Sequence, residues 1–276
     1  FQKASFLIDT YRDNSSPRLS YKDYLLFVFF FPQLIAGPII RFKEISSQII
    51  SREENFNKRL EGFNRFCFGL AKKVILADSF AVYADIAFKA QDPTPMVAWI
   101  GALSYAFQIY FDFSGYSDMA IGLGKMAGFT FPENFNFPYS SKSITEFWRR
   151  WHITLSTWMK DYLYIPLGGN RGSATRTYIN LALVFLFSGF WHGAGWNFIL
   201  WGAYHGAFLI FERLGLSRFL KAIGPVAQVL TFLIVVLGWV LFRAESLTDA
   251  VTYYGELFTP GGKPAPEPNK KLIAMG

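Results

Sequence analysis

The sequence predicts an all-α protein embedded in a membrane, and three observations support that class. Hydrophobic residues make up 52% of the 276 residues and aromatic residues 19%, which is more apolar than an ordinary soluble domain. Two long segments, residues 177–211 and 222–242, contain no Asp, Glu, Lys or Arg. Short basic clusters lie beside apolar segments, as they do in loops that flank membrane helices.

The net charge of +7 fits nucleic-acid binding, anionic lipid or the positive-inside bias of membrane proteins. The basic pairs Lys72-Lys73 and Arg149-Arg150 favour loop or interface anchoring, and no nucleic-acid motif is present. The single cysteine, Cys67, excludes an intramolecular disulfide framework. We expect it to be a small buried residue.

The first third of the sequence predicts segments that lie at the edge of the membrane. Residues 1–23 are polar and are expected to form a loop with a turn at 14–17. Residues 24–40 are apolar but contain two prolines, so a kinked or re-entrant course is expected. Residues 41–61 are charged and amphipathic, and the lysine pair within 62–88 favours a helix partly at the interface.

The middle of the chain carries charges that need partners. Residues 95–124 are apolar except for a few polar side chains, among them the carboxylates Asp112 and Asp118. Residues 131–141 are expected to be an extended loop. The helix that follows is predicted to begin with a capping box of Ser143 and Glu146 and to stop before Pro166.

The uncharged segment 177–211 is too long to be one span. At about 1.5 Å per residue its 35 residues would reach roughly 52 Å, whereas a bilayer core is about 30 Å thick. The segment is therefore predicted to break at the glycines after His192. Residues 222–242 form the cleanest single span, and 244–276 a polar loop or tail, Gly/Pro-rich and flexible at 260–268, in a single membrane domain.

Helical spacing across residues 147–163 predicts two faces on one helix. Its aromatic stripe is expected to anchor in lipid, and its polar face carries Arg149, His152, Ser156 and Lys160. The simplest interpretation is an interfacial anchor in which His152 is incidental. The neighbouring arginines, suited to phosphate, and the intramembrane His192 favour a functional site instead.

Other readings of the titratable residues remain open. His205, the third histidine, is expected to be packed or hydrogen-bonded structurally, and no metal site is expected because ligand spacing is absent. The residues His152, His192, Asp112 and Asp118 also fit a proton or ion path in a transporter.

Four motifs resemble one known family. They are Tyr110–Asp118, Arg149–Ser156, Asp161–Arg171 and Gly189–Asn197. This set is similar to membrane-bound O-acyltransferases of the alginate O-acetylation type, and the run through Gly168-Gly169 favours that branch over the relative that loads D-alanine onto teichoic acid. Members are longer at both ends, and the chain opens at Phe1, so we expect a piece of a longer protein.

The resemblance implies a polytopic α-helical bundle around a funnel or tunnel in the bacterial inner membrane. It implies acetyl-CoA as donor and an extracytoplasmic esterase-like partner within polysaccharide machinery. The catalytic residues would be His192, as base, and His152, with Arg149 and Arg150 on the donor phosphates. Supporting residues would be Asp112, Ser156, Asp161 and Asn197.

Two further alternatives stay open at this point. Asp112 either orients an imidazole or forms a structural ion pair. The chain is either a reacting enzyme or a structural subunit that only docks a partner enzyme.

Overall fold

The computed structural model describes residues 1–12, 20–34 and 37–261, and within these ranges it contains helices and turns but no β-strand. The predicted all-α class is confirmed. Thirteen α-helices occur in the described ranges: α1 Gln2–Arg12, α2 Tyr21–Phe29, α3 Phe42–Ile50, α4 Phe56–Ala71, α5 Asp78–Phe88, α6 Pro95–Met126, α7 Ile144–Arg150, α8 Ile153–Met159, α9 Ala174–His192, α10 Trp196–Phe211, α11 Ser217–Ala222, α12 Val226–Arg243 and α13 Leu247–Phe258.

The N-terminal residues form helix α1, so the predicted loop is wrong for residues 2–12. The Phe6 ring packs against Phe42 with ring centroids 4.9 Å apart, and such a contact stabilises a helix that its polar composition alone does not predict. The expected turn at 14–17 lies outside the described residues. The interruption expected in 24–40 is present, because α2 ends at Phe29 and a short 3₁₀ turn follows.

Helices α4 and α6 cross at paired glycines. A Cβ atom on Gly69 would lie 2.5 Å from the Gly115 carbonyl oxygen, and one on Gly62 would lie 2.6 Å from that of Gly122. Only glycine permits two backbones to approach this closely. Cys67 lies away from this contact and is exposed, so the expectation of a buried cysteine is wrong.

The carboxylates of α6 have the partners that the sequence requires. Asp118 is almost buried and pairs with Arg65 at 2.6 Å and with Lys72 at 2.5 Å. Asp112 pairs with Lys73 at 2.8 Å. Both lysines belong to a π turn, residues 72–77, at the point where the interruption of 62–88 was predicted. Of the two roles that the sequence left open for Asp112, the structure shows the ion pair, and Asp112 contacts no imidazole among the described residues.

The largest core lies where α5, α6, α7, α10, α12 and α13 meet, around fully buried rings such as Trp201 and Trp239. The expectation of a polar tail is wrong for residues 247–258, because α13 packs here. The Tyr253 hydroxyl donates to the Ala98 carbonyl at 2.8 Å. The expected flexible end at 260–268 lies outside the described residues from 262 onward.

Large apolar side chains also face outward. Among the described helices, only Val226–Arg243 has both the length and the apolar composition to cross a membrane, and it corresponds to the predicted span. Exposed apolar side chains continue on α9 and α10, an arrangement typical of surfaces that contact lipid. They are Ile179, Leu183, Phe187, Phe190, Trp196 and Leu200.

Candidate functional site

A cavity of about 630 Å³ lies between α7, α8, the segment 160–171, α9 and the start of the turn after α10. One wall is apolar and is formed largely by α9 and α10. The residues of that wall are Leu181, Val184, Phe185 and Leu209. The volume is within the range of small-molecule sites. The sequence motifs Arg149–Ser156 and Asp161–Arg171 both contribute to its lining.

Four cations line this cavity: Arg149, Lys160, Arg171 and Arg213. No acidic side chain lines it among the described residues, and none of the four forms a salt bridge there. Arginines without carboxylate partners bind phosphates through a planar fork of donors. The cavity is therefore suited to an anionic ligand with an apolar portion.

His192 is the last residue of α9, and the predicted break follows it. Helix α10 begins at Trp196, and a Cβ atom at Gly193 would lie 2.5 Å from the Phe198 ring, so a larger residue there would displace that ring. Ser188, which lines the cavity, precedes His192 by one turn on the same face of α9. The His192 ring packs edge-on against Trp201, with centroids 5.1 Å apart.

His152 lies at a break that the sequence did not predict. Helix α7 ends at Arg150 and α8 begins at Ile153, because His152 adopts left-handed backbone angles, φ 43° and ψ 54°. Such a conformation costs about 1–3 kcal/mol in a residue other than glycine and clusters at functional sites. The continuous helix expected over residues 147–163 is therefore wrong, although Ser143 does cap α7 through the Glu146 N–H.

The aromatic stripe of the same segment lies inside the protein rather than in lipid. Trp151, Leu155, Trp158 and Tyr162 are each at most 8% exposed. They pack within two separate cores, because the break at His152 turns α8 away from the direction of α7. The polar face is partly retained, since Arg149, Ser156 and Lys160 line the cavity.

The two histidines flank the cavity, and neither is part of its lining. His152 adjoins Ile153, which lines it, and His192 lies one turn past Ser188. Two packed rings, Trp201 and Trp239, connect His192 to Trp151, the residue before His152. The successive ring centroids along this path lie 5.1, 6.0 and 4.8 Å apart. The structure therefore brings the two predicted residues to one region.

His205 is packed, as expected. It is fully buried, with ring centroids 5.1 Å from Trp148 and 5.2 Å from Trp201. Both of its ring nitrogens lack a hydrogen-bond partner among the described residues. It sits behind Trp148, a residue of the cavity wall.

Three other predicted residues have structural partners. Arg150 pairs with Glu146 at 2.8 Å and does not line the cavity, unlike its neighbour Arg149. Asp161 forms an ion pair with Arg41. The buried Asn197 side chain donates to the Ala244 carbonyl at 2.9 Å, at the end of α12.

Sequence reasoning missed Asn134, Arg213 and Glu212. Asn134 is fully buried and contacts His152, yet its asparagine-rich loop indicated only an extended turn. Arg213 lies 64 positions after Arg149, and nothing in the sequence spacing relates the two residues. Glu212 is buried and accepts from the Thr145 N–H at 3.0 Å, so it caps α7.

These features describe a helical protein with outward-facing apolar side chains and a cavity lined by four cations, with two histidines beside it. The family model for the membrane-bound O-acyltransferases matches residues 4–242, and the chain belongs to that family.

Its curated relatives include a probable alginate O-acetylase of Pseudomonas aeruginosa, 53% identical over 95% of this chain and 50% of the relative. A peptidoglycan O-acetyltransferase of Helicobacter pylori is 44% identical over 91% of this chain and 54% of that protein. A teichoic acid D-alanyltransferase of Streptococcus thermophilus is 32% identical over 79% and 56%. The chain spans about half the length of these relatives.

Proposed function

We propose that the full-length protein transfers an acetyl group from acetyl-CoA toward the hydroxyl groups of an extracellular polysaccharide such as alginate. The observation that carries the proposal is the cavity with four cations and an apolar wall beside two histidines. The choice of alginate rests on the identity of 50–53% to five probable alginate O-acetylases, against 32% to the D-alanyltransferase.

The cations would hold the phosphates of coenzyme A. Arg149, Arg171 and Arg213 supply guanidinium forks, and Lys160 adds a point charge. The apolar wall of α9 and α10 would receive the thioester arm. Arg150 is left out of this site, because Glu146 already pairs with it.

The reaction requires two proton transfers through an imidazole and one exchange of bonds at the acetyl carbonyl. The acceptor hydroxyl oxygen forms a bond to the carbonyl carbon, and the carbon–sulfur bond of the thioester breaks. The hydroxyl proton passes to an imidazole and then to the departing sulfur, which leaves as the free thiol. Histidine suits this step because its ordinary pKa of about 6.5 lies near working pH.

His192 and His152 supply the two imidazoles. The family resemblance assigns the base to His192 and leaves His152 to orient the thioester or to stabilise the developing charge. Ser156, between His152 and Lys160 in the chain, lines the cavity and would contact the donor.

The protein would act as a multi-pass protein of the bacterial inner membrane. The acetyl group would leave on the outer side, to an extracytoplasmic acetyltransferase that modifies the polysaccharide. The outward-facing apolar helices and the membrane-bound family support the membrane location.

Replacing His192 with Ala in the full-length protein tests the proposal. We expect polysaccharide acetylation and thiol release from acetyl-CoA to fall by about 10²-fold or more, since general base catalysis contributes about 10²–10⁴-fold. Correct insertion and normal abundance of the variant are the controls. Normal acetylation by an abundant variant would overturn the assignment of His192 as the base. Ion flux in proteoliposomes without any acetyl-CoA requirement would support the transporter alternative.

A further inference from the structure

Residues 164–171 form a tight turn beside the cavity, and two glycines set its shape. The Gly169 N–H donates to the Tyr164 carbonyl at 2.8 Å, and the Gly168 N–H donates to the Ile165 carbonyl at 2.9 Å. Gly168 and Gly169 have φ angles of 106° and 57°. Nested bonds of this kind with glycine at positive φ are the Schellman motif that ends helices. We call residues 164–171 the cavity turn.

The cavity turn supplies one of the four cations of the cavity, Arg171. The last four residues of the turn, 168–171, all belong to the lining. The Arg171 N–H donates to the Gly168 carbonyl at 3.2 Å, so the backbone of Arg171 is attached to the turn. The Arg171 side chain forms no ion pair among the described residues. The place of its guanidinium group relative to the other three cations therefore depends on where the turn lies.

Asn180 of α9 connects the cavity turn to the apolar wall of the cavity. It is fully buried and precedes Leu181, a residue of that wall. Its Nδ2 donates to the Gly169 carbonyl at 3.0 Å. Because a carbonyl oxygen only accepts, the NH₂ group of the amide must face the turn. A longer bond joins the same two elements, from Arg176 Nη2 to the Leu167 carbonyl at 3.4 Å.

Packing alone does not explain an amide at position 180. Asparagine favours a helix less than leucine does, and burying a polar group without its full hydrogen bonds costs free energy. Asn180 is only partly satisfied, since its Oδ1 has no partner among the described residues. A leucine would fill a similar volume without polar atoms. The amide therefore contributes the bond to Gly169, which leucine cannot make.

We propose that Asn180 is a positioning residue that holds the cavity turn against α9, so that Arg171 binds a phosphate of the donor. This inference rests on the proposed acyl transfer from acetyl-CoA. Asn180 is not part of the cavity lining, so its effect on the donor passes through the turn and Arg171. The thioester arm, which would lie against the apolar wall, does not depend on this contact.

Two thioester donors separate this role from general packing. Acetylpantetheine has the thioester arm of acetyl-CoA without its phosphates, and thiol release by the full-length protein gives kcat and KM for each donor. In Asn180→Leu the KM for acetyl-CoA should rise about 3–10-fold, the size expected for one hydrogen bond. The kcat with acetyl-CoA, and both constants with acetylpantetheine, should stay within about twofold of the parent, because only binding of the phosphates is lost.

A double-mutant cycle tests whether Asn180 acts through Arg171. Arg171→Gln alone should raise the KM for acetyl-CoA about tenfold. The variant with both replacements should stay within about twofold of Arg171→Gln, because the turn then has no cation left to position. Independent effects would multiply to about 30–100-fold, and that result would overturn the inference. So would an unchanged KM in Arg171→Gln.

Gln33→Leu is the matched control. Gln33 is also a buried amide whose NH₂ group donates to one backbone carbonyl, that of Phe27, and its Oε1 has no partner among the described residues. It lies in the 3₁₀ turn after α2 and is not part of the cavity lining. The KM for both donors should stay within about twofold of the parent. Equal rises in Gln33→Leu and Asn180→Leu would overturn the inference.

Asn180→Ser covers the case in which Asn180→Leu does not fold, because its shorter side chain loses the bond to Gly169 without adding apolar bulk. An unchanged KM for acetyl-CoA in a folded Asn180 variant would overturn the inference. An equal loss with acetylpantetheine would do the same. Failure of the proposed function looks different, because the parent protein would then release no thiol from either donor.

Discussion

Replacing Arg149 with Gln is expected to weaken acetyl-CoA binding about tenfold, while replacing its neighbour Arg150 should change it little. Arg149 lines the cavity with three other cations and has no carboxylate partner among the described residues. Arg150, one position further along α7, pairs with Glu146 and donates to the Asn136 carbonyl. The two residues therefore form a matched pair of equal charge change.

The magnitude follows from the exposure of the site. A hydrogen bond to a charged group contributes about 1.5–3 kcal/mol when it is well protected. Arg149 is exposed at the rim, so the lower end applies, and about 1.4 kcal/mol corresponds to a tenfold change in affinity. The Arg150–Glu146 pair is a half-buried i, i+4 pair, worth about 0.3–0.5 kcal/mol to the helix and nothing to the donor.

Initial rates of thiol release, measured against acetyl-CoA concentration in the full-length protein, give the KM of each variant. The KM of Arg149→Gln should rise about tenfold at low salt and approach that of the parent at high salt, because salt screens exposed charges. The kcat should change less than the KM, since the rim is away from the reacting groups. Equal KM values for the two variants, or a larger effect at Arg150, would refute the placement of the donor phosphates.

Two further changes test how the site is held. Glu212→Ala removes the carboxylate that accepts from the Thr145 N–H. The loss should destabilise the protein by about 1–3 kcal/mol per unpaired donor and lower its thermal unfolding midpoint in detergent. An unchanged midpoint would contradict the role of Glu212 as the cap of α7. Gly69→Leu places side-chain atoms where the Gly115 carbonyl lies, and the yield of folded protein by size exclusion should collapse. Cys67→Leu on the exposed face of α4 should leave that yield unchanged, and equal yields from the two variants would contradict the close crossing.

The break at Gly193 was predictable, whereas the break at His152 was not. Length arithmetic on an uncharged segment requires an interruption, and three residues with two glycines mark its place. No glycine or proline marks His152. Its left-handed angles are imposed by hydrogen bonds from the loop at 134–136, which lies 15 or more residues earlier in the chain. The residues next to His152 in the sequence therefore give no signal that would predict this contact.

The site residues also divide into those that the sequence predicts and those that only the folded structure identifies. His152, His192 and Arg149 were predicted because they belong to long motifs, and the structure brings them to one region. Arg171 lines the cavity beside them, but Arg213 reaches it from the end of α10, 64 positions beyond Arg149 in the sequence. The burial of the aromatic stripe, too, depends on partners such as Trp239, which periodicity cannot identify.

His205 affects how genetic screens of such proteins are to be interpreted. Its ring stands behind Trp148, and its Nε2 faces Gly238 of α12 so closely that a Cβ atom there would lie 2.8 Å away. His205→Ala removes a buried ring where three helices meet and leaves the two proposed catalytic histidines in place. A screen that scores acetylated polymer alone would therefore group a residue of the hydrophobic packing with the residues proposed to transfer protons. Abundance measured beside product in the same cells separates the two groups.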